Sequence, residues 1–332
     1  MSDFIKECED TILKVQELLK RNGEWEARYL KYAKAINNNI DKIKENKKKF
    51  HEWPPLYLYM NLSAAKSHIT FSLRYRGQDV AKLKVGKDKI TISTKGFNKK
   101  NERDFECKVQ LKDVEWRSAG ASKFRSYFSG CPKRTKNSGK ENEEHRLESL
   151  LLTELSKKSS KSKILFNIQP VRLARIARFP MPTPLGASNM KNLEYSKQSR
   201  GGIDILSRIG TGKTTKLCIM ELKDENVKKE PPAKAIKQGL AYASFIRELL
   251  RSNSGQEWWK IFGFKGKLPK QIELYVACVM PSTDNNDKSF AGKIIKNIQD
   301  SFHLHYIYFR EKDNKVIAIM TSLKQCSENK HM

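Results

Sequence analysis

Three residues in the second half of the chain have the side chains that hydrolytic chemistry needs: Asp204, Glu221 and Lys223. Glu221 and Lys223 stand two apart in KLCIMELK, an apolar run that reads as a strand, so their side chains leave the same face. Asp204 lies in GGIDIL, a second strand-like segment whose apolar character makes a charge there costly without a partner. Paired positions in an antiparallel hairpin sum to a constant, and setting Asp204 opposite Glu221 centres the loop between Gly212 and Lys213. Two carboxylates then share a patch with one ammonium. They repel one another and raise one pKa, unless a divalent cation or the lysine offsets the repulsion. A hard, oxygen-ligated cation suits them, Mg²⁺ first and Mn²⁺ as its substitute. Such an ion polarises a phosphodiester and lowers the pKa of a bound water, while Lys223 orients the water or neutralises charge at the phosphorus centre.

The loop between the two strands, SRIGTGKTTK, raises a rival reading, because Gly212-Lys213-Thr214 looks like the end of a phosphate-binding loop. A loop of that type has glycine five positions before the Gly-Lys-Thr and a helix after it. Here the first position is Ser207 and the following TTKLCIMELK is β-like. The run is therefore predicted to be a hairpin loop with positive φ at Gly210 and Gly212, and no nucleoside triphosphate is expected.

Taken together, GGIDIL, KLCIMELKDE and AIKQGLAYA resemble the PD-(D/E)XK nuclease superfamily over roughly residues 140 to 320. Asp204 matches the first acidic position, Glu221-Leu222-Lys223 the E-x-K element, and Gln238 the polar position of the next helix. Ile203 stands where the nominal motif has proline, a position that varies in the superfamily. The resemblance implies a restriction-endonuclease-like core, metal ligation by Asp204, Glu221 and the Leu222 backbone carbonyl, and a further glutamate on the preceding helix. Glu148 in HRLESLLL is the first choice for that glutamate, ahead of Glu144 and Glu154. It also implies a Mg²⁺-dependent endodeoxyribonuclease of restriction or defence type. The alternative is a nuclease-like module that only binds nucleic acid; such a module would be expected to lose Asp204, Glu221 or Lys223, and all three are present.

The elements that must position these residues follow from periodicity. The first fifty residues repeat apolar positions at three and four and predict two antiparallel helices broken at Gly23. From LYLYMNL the period falls to two, giving an antiparallel meander with turns at Arg76-Gly77-Gln78 and Gly86-Lys87-Asp88, continued by DFECKVQLKDVEW. PKRTKNSGKENE has no apolar residue and reads as a linker, so an α+β part over 1–131 is expected to precede an α/β mixed-sheet domain over 140–325. In the second part, EEHRLESLLLTELSKK, AKAIKQGLAYASFIRELLRS and FAGKIIKNIQDSF are predicted helices. ELYVACVM, HYIYFR and VIAIMTSL are predicted strands. The first part is the candidate for target recognition or dimerisation, and a homodimer follows if both strands are cut.

Across 332 residues, 65 Lys and Arg oppose 37 Asp and Glu, a formal charge of +28 that suits a phosphate-backbone partner, read here as DNA. No apolar run of membrane-spanning length or signal peptide is apparent, so a cytoplasmic protein is expected. Arg172, Arg175 and Arg178, just before the hairpin, are candidate phosphate contacts, as are Lys234 and Tyr242, which share a helix face with Gln238. The six cysteines form no CxxC pair and are read as reduced and structural. Trp258 and Trp259 are read as packing residues, and the HLH run at His303–His305 as structural.

Overall fold

The computed structural model describes residues 2–45, 55–62, 70–85, 89–94, 105, 107–130, 143–157, 164–174, 177–188, 193–197, 201–226 and 230–323. In chain order the elements are α1 (Ser2–Arg21), α2 (Glu24–Glu45), β1 (Leu56–Asn61), β2 (Thr70–Tyr75), β3 (Gln78–Val85), β4 (Ile90–Thr94), β5 (Val114–Glu115) and α3 (Ala119–Gly130). There follow α4 (Glu143–Leu155), β6 (Ile168–Pro170), β7 (Arg172–Leu173), β8 (Ala177–Arg178), β9 (Met181–Thr183), β10 (Leu185–Gly186), β11 (Glu194–Tyr195), β12 (Gly201–Ile203) and β13 (Ile205–Ile209). The last group is β14 (Lys216–Leu222), α5 (Pro232–Arg251), α6 (Gly255–Ile261), β15 (Glu273–Pro281), β16 (Ile294–Asn297), β17 (Asp300–Lys312) and β18 (Lys315–Thr321). This is a mixed α and β protein, as expected. No described helix is long and apolar enough to cross a membrane.

The chain forms two compact units that are not contiguous in sequence: residues 1–33, 150–171 and 180–332, and residues 34–149 with 172–179. This departs from the expected boundary near residue 135. Neither α2 nor α4 is confined to one unit, and the first 33 residues belong with the second half of the chain.

In the first unit a mixed sheet runs in the order β16, β17, β15, β14, β13, β6, with β18 also on β17. β14, β15 and β17 are parallel, and β13, β16 and β18 pair antiparallel to their neighbours. β14 is almost wholly buried, as an inner parallel strand covered on both faces must be. α5 crosses over from β14 to β15 and packs on both, and α1 packs on α5, which replaces the expected α1–α2 hairpin pair. α1 buries Cys8, Ile12, Val15 and Leu19, and at the start of α2 Trp25 and Tyr29 pack edge-on against Phe245 of α5, with Tyr29 also meeting Trp258. At the far end of α5, Asp300 is 3% exposed and accepts from Arg247 Nε at 2.8 Å, Arg251 Nε at 3.1 Å and the Ile272 N–H at 2.8 Å. These bonds hold its carboxyl below the usual range despite burial.

The predicted helix FAGKIIKNIQDSF does not form; the segment makes β16, a turn and the start of β17. Its isoleucines do not share a helical face: Ile295 is 1% exposed, Ile294 53% and Ile298 84%, the last with φ +54°. β-Branched residues at an edge strand satisfy the backbone through β17, which a helix periodicity argument does not see.

The second unit holds the expected meander, extended to a sheet of order β5, β4, β3, β2, β1, β8, β7. The turn at Arg76-Gly77 forms with φ +46° and +78°, the twist a two-residue hairpin requires. A side chain at Gly77 would meet the His145 carbonyl at 2.1 Å, so glycine lets the first turn of α4 close on this hairpin. The run after Phe105 gives only the short β5, and α3 then packs Phe124 and Phe128 into a cluster with Tyr75 and Phe105. The turn at Gly86-Lys87-Asp88 and the linker over 132–142 lie outside the described residues.

Candidate metal centre

β13 and β14 pair with Ile205 opposite Met220 and Ile209 opposite Lys216, the register in which Asp204 and Glu221 are the next pair along. Gly210 and Gly212 supply the positive φ, +99° and +54°. Gly212–Thr214 close as one 3-10 turn, with the Thr214 hydroxyl donating to the Thr211 carbonyl at 2.8 Å and the Thr215 hydroxyl to the Gly212 carbonyl at 2.9 Å. β14 follows immediately. No helix begins at this Gly-Lys-Thr, and the amide cradle of a phosphate loop is not formed.

Asp204 bends toward the end of β14, where its Oδ2 accepts from the Leu222 N–H at 2.9 Å. Glu221 is 2% exposed and its Oε1 accepts from Lys223 Nζ at 2.7 Å. Asp204 and Glu221 bring carboxylate oxygens within 4.8 Å of one another. At that separation two unit charges repel by about 3–4 kcal/mol at an effective dielectric of about 20. Lys223 offsets part of this, leaving two anions beside one cation in a largely buried place.

α5 fixes the other side of Glu221. A methyl group on Gly239 would lie 3.0 Å from Val276 Cγ1 and 3.4 Å from Glu221 Cβ, so the glycine sets how closely the helix approaches β14 and β15. Gln238 is 4% exposed and its Nε2 donates to the Tyr242 hydroxyl at 3.5 Å, while Tyr242 is 1% exposed. Burial, and then the Glu221 charge, push the Tyr242 phenol well above its ordinary pKa. Gln238 is thus turned to Tyr242, which is an interior residue and not the phosphate contact expected from its spacing. Lys234, on the same helix face, stays partly exposed and pairs with Glu230 at 2.6 Å.

On α4, Glu144 and Glu148 both fall among residues 34–149 of the second unit, whereas Asp204 and Glu221 belong to the first. Glu148, the first choice from sequence, is 5% exposed and its Oε2 lies 3.4 Å from His145 Nδ1. Burial pushes the Tyr59 phenol above its ordinary pKa, and the Glu148 charge adds to that rise. Glu154 is occupied structurally, accepting from the Ile164 N–H at 3.2 Å and pairing with Lys157. Glu144 and Glu148 share a helix face at four-residue spacing, so sequence could not choose between them.

The arginine expectation is corrected at Arg178, which is 1% exposed. Its guanidinium donates to the Tyr59 hydroxyl at 3.1 Å and to the carbonyl and hydroxyl of Ser149 at 3.3 Å, and lies 3.8 Å from the centre of the Tyr57 ring. It is an internal strut of the second unit. Its place in a run with Arg172 and Arg175 gave no sequence sign of this. Arg172 is partly exposed on β7, and Arg175 lies outside the described residues.

The donor set of this centre is all carboxylate oxygen, which fits a hard divalent cation and not a thiophilic one. Cys8, Cys107, Cys218 and Cys278 are buried, as expected of structural cysteines. Comparison with protein-family models, curated proteins and solved structures finds no match, so the function must be read from the site itself.

Proposed function

We propose that the protein is a divalent-cation-dependent phosphodiesterase that cuts DNA, with a restriction-endonuclease-like core and a role of restriction or defence type. The observation that carries this reading is the β13–β14 register, which sets Asp204 beside Glu221 and brings Lys223 to 2.7 Å from Glu221. Asp204 and Glu221 would hold the cation, with the Leu222 carbonyl as a further oxygen. A bound Mg²⁺ would supply Lewis-acid polarisation of the phosphodiester and a lower pKa for a coordinated water.

The remaining work belongs to the chain's own groups. The Leu222 N–H fixes the Asp204 carboxylate, and Lys223 is held by Glu221 where its ammonium can orient an attacking water or meet phosphate charge. Tyr242 remains a neutral phenol near neutral pH and adds no further negative charge. The formal charge of +28 supports an anionic polymer as the substrate.

The test is incubation of the purified chain with supercoiled plasmid and linear DNA in Mg²⁺ or EDTA, beside Glu221→Gln. Cleavage by wild type in Mg²⁺ alone, reduced at least 10³-fold in the variant, is the expected result. Undiminished cleavage by the variant sinks the assignment. Wild type that binds these DNAs yet leaves them intact in every metal favours the binding-module alternative.

A further inference from the structure

The loop that failed as a nucleotide-triphosphate motif lines a cavity of about 590 Å³ in the first unit. Lys216, at its wall, stands five residues before Glu221 on β14, about 17 Å away at ~3.3 Å per residue. The cavity is therefore separate from the carboxylate centre.

Its charge is one-sided. Arg208, Lys213, Lys216, Lys265 and Lys267 line it, and the one carboxylate among the lining residues, Glu273, is paired with Lys216 at 2.6 Å. Arg208 is a fixed part of the wall, donating to the Gly263 carbonyl at 2.5 Å and to Gln169 Oε1 at 2.8 Å. Lys213, Lys265 and Lys267 make no ion pair with any described residue, so their ammonium groups are available to a ligand.

The cavity also has an aromatic wall. Trp259 and Phe264 stack with centroids 3.8 Å apart and planes 11° from parallel, and both rings stay partly exposed. This corrects the pairing of Trp258 with Trp259 as equivalent packing residues: Trp258 is 0% exposed, and Trp259 lines the cavity. The loop carrying Lys265 and Lys267 is clamped to α6, since Gln256 donates to the Gly266 carbonyl at 3.1 Å and accepts from the Leu268 N–H at 2.9 Å. The basic and aromatic walls are thus set before any ligand arrives.

A free inorganic anion would use the lysines and leave the rings without a role, and in an acidic peptide the negative groups are not themselves coupled to a flat ring. A nucleotide uses both, with phosphates against ammonium groups and a base against a π-surface. The volume falls in the range of small-ligand sites and suits one such unit. We propose that this cavity seats one nucleotide of a single-stranded nucleic acid, apart from the carboxylate centre and independent of any metal.

The experiment is fluorescence anisotropy of the full chain with a labelled oligothymidylate in EDTA, where no cleavage interferes. It compares wild type, a Lys213→Ala/Lys265→Ala/Lys267→Ala triple variant, Trp259→Ala, and a charge-matched Lys6→Ala/Lys14→Ala/Lys20→Ala control on the exposed face of α1. Circular dichroism confirms that each is folded. The cavity triple is expected to weaken binding at least tenfold and lower the salt slope by about 0.7–1.4, from about 0.7 for each of the one or two phosphates that flank a seated nucleotide. Trp259→Ala is expected to weaken it about 5- to 150-fold, the range for loss of one base stack. Wild-type affinity in either cavity variant overturns the proposal, as does an equal loss in the α1 control, which would reduce the effect to overall charge. Displacement of the oligonucleotide by micromolar thymidine monophosphate overturns the assignment to a strand; resistance to millimolar monophosphate supports it. Because binding is read without metal, a failure here leaves the cleavage test untouched, and the converse also holds.

Discussion

Asp204→Asn separates a metal centre from a structural ion pair by reversing the order of stability with and without Mg²⁺. In the metal-free protein the substitution removes a carboxylate lying within 4.8 Å of Glu221, relieving about 3–4 kcal/mol of repulsion at an effective dielectric of about 20. Against this stands the bond from the Leu222 N–H at 2.9 Å, whose acceptor loses its charge. An Asn carbonyl oxygen still accepts it, so the loss is about 1–2 kcal/mol, the difference between charged and neutral hydrogen bonds. The difference is a gain of about 1–3 kcal/mol, so the metal-free variant should exceed wild type by that much less the attraction to Lys223, which the substitution also removes. Mg²⁺ at about 100 times its Kd then stabilises wild type by about 2.7 kcal/mol. For a domain of about 150–250 residues this is a rise in Tm of about 5–10 °C. The variant should show little of that rise. Calorimetry in EDTA and across a Mg²⁺ titration reads the comparison, with K⁺ holding ionic strength constant. An equal Mg²⁺-induced rise in Asp204→Asn and wild type, or a marked loss of stability in the metal-free variant, refutes the metal-ligand reasoning.

Four further outcomes are expected. One of Glu144→Gln and Glu148→Gln should lower Mg²⁺-dependent cleavage about 10²-fold while the other retains activity within a fewfold; initial rates on plasmid decide between them, and wild-type rates in both refute a glutamate ligand from this helix. Gly239→Ala gains about 1 kcal/mol of helix propensity but drives a methyl to 3.0 Å from Val276 and 3.4 Å from Glu221, a clash of about 1–3 kcal/mol; urea unfolding should show no net stabilisation, and kcat should fall with DNA affinity unchanged. Arg178→Ala should cost about 2–5 kcal/mol by urea unfolding, since it strips a buried cation from Tyr57, Tyr59 and Ser149, and should leave the salt slope of DNA binding unchanged. His305 is held near a pKa of about 4, first by burial and then by His303, so it stays neutral in the fold and binds a proton more readily when unfolded. Its contribution is present in full above its unfolded pKa of about 6.5, falls as pH drops toward 4, and levels off below, a loss of up to about 3 kcal/mol that His305→Gln should flatten in a pH series of unfolding curves.

What could be read from the chain alone was what local geometry fixes. A hairpin's register depends on its turn and on alternation, both of which lie within twenty residues, so Asp204 opposite Glu221 and the positive φ at Gly210 and Gly212 were legible before any fold was known. The same holds for α5 and for the Arg76-Gly77 turn. Tertiary structure decided what depends on surfaces meeting from distant parts of the chain. It placed Trp25 and Tyr29 against Phe245 and so drew the N-terminal helix into the first unit. It turned the 290–302 segment from helix to strand, because an open sheet edge at β17 offered hydrogen bonds that periodicity does not count. It buried Arg178 and Tyr242, and gathered lysines from the hairpin loop and the segment after α6 around Trp259. The physical reason is common to all of these. Spacing tells which side chains leave one element together, and only packing tells what they meet.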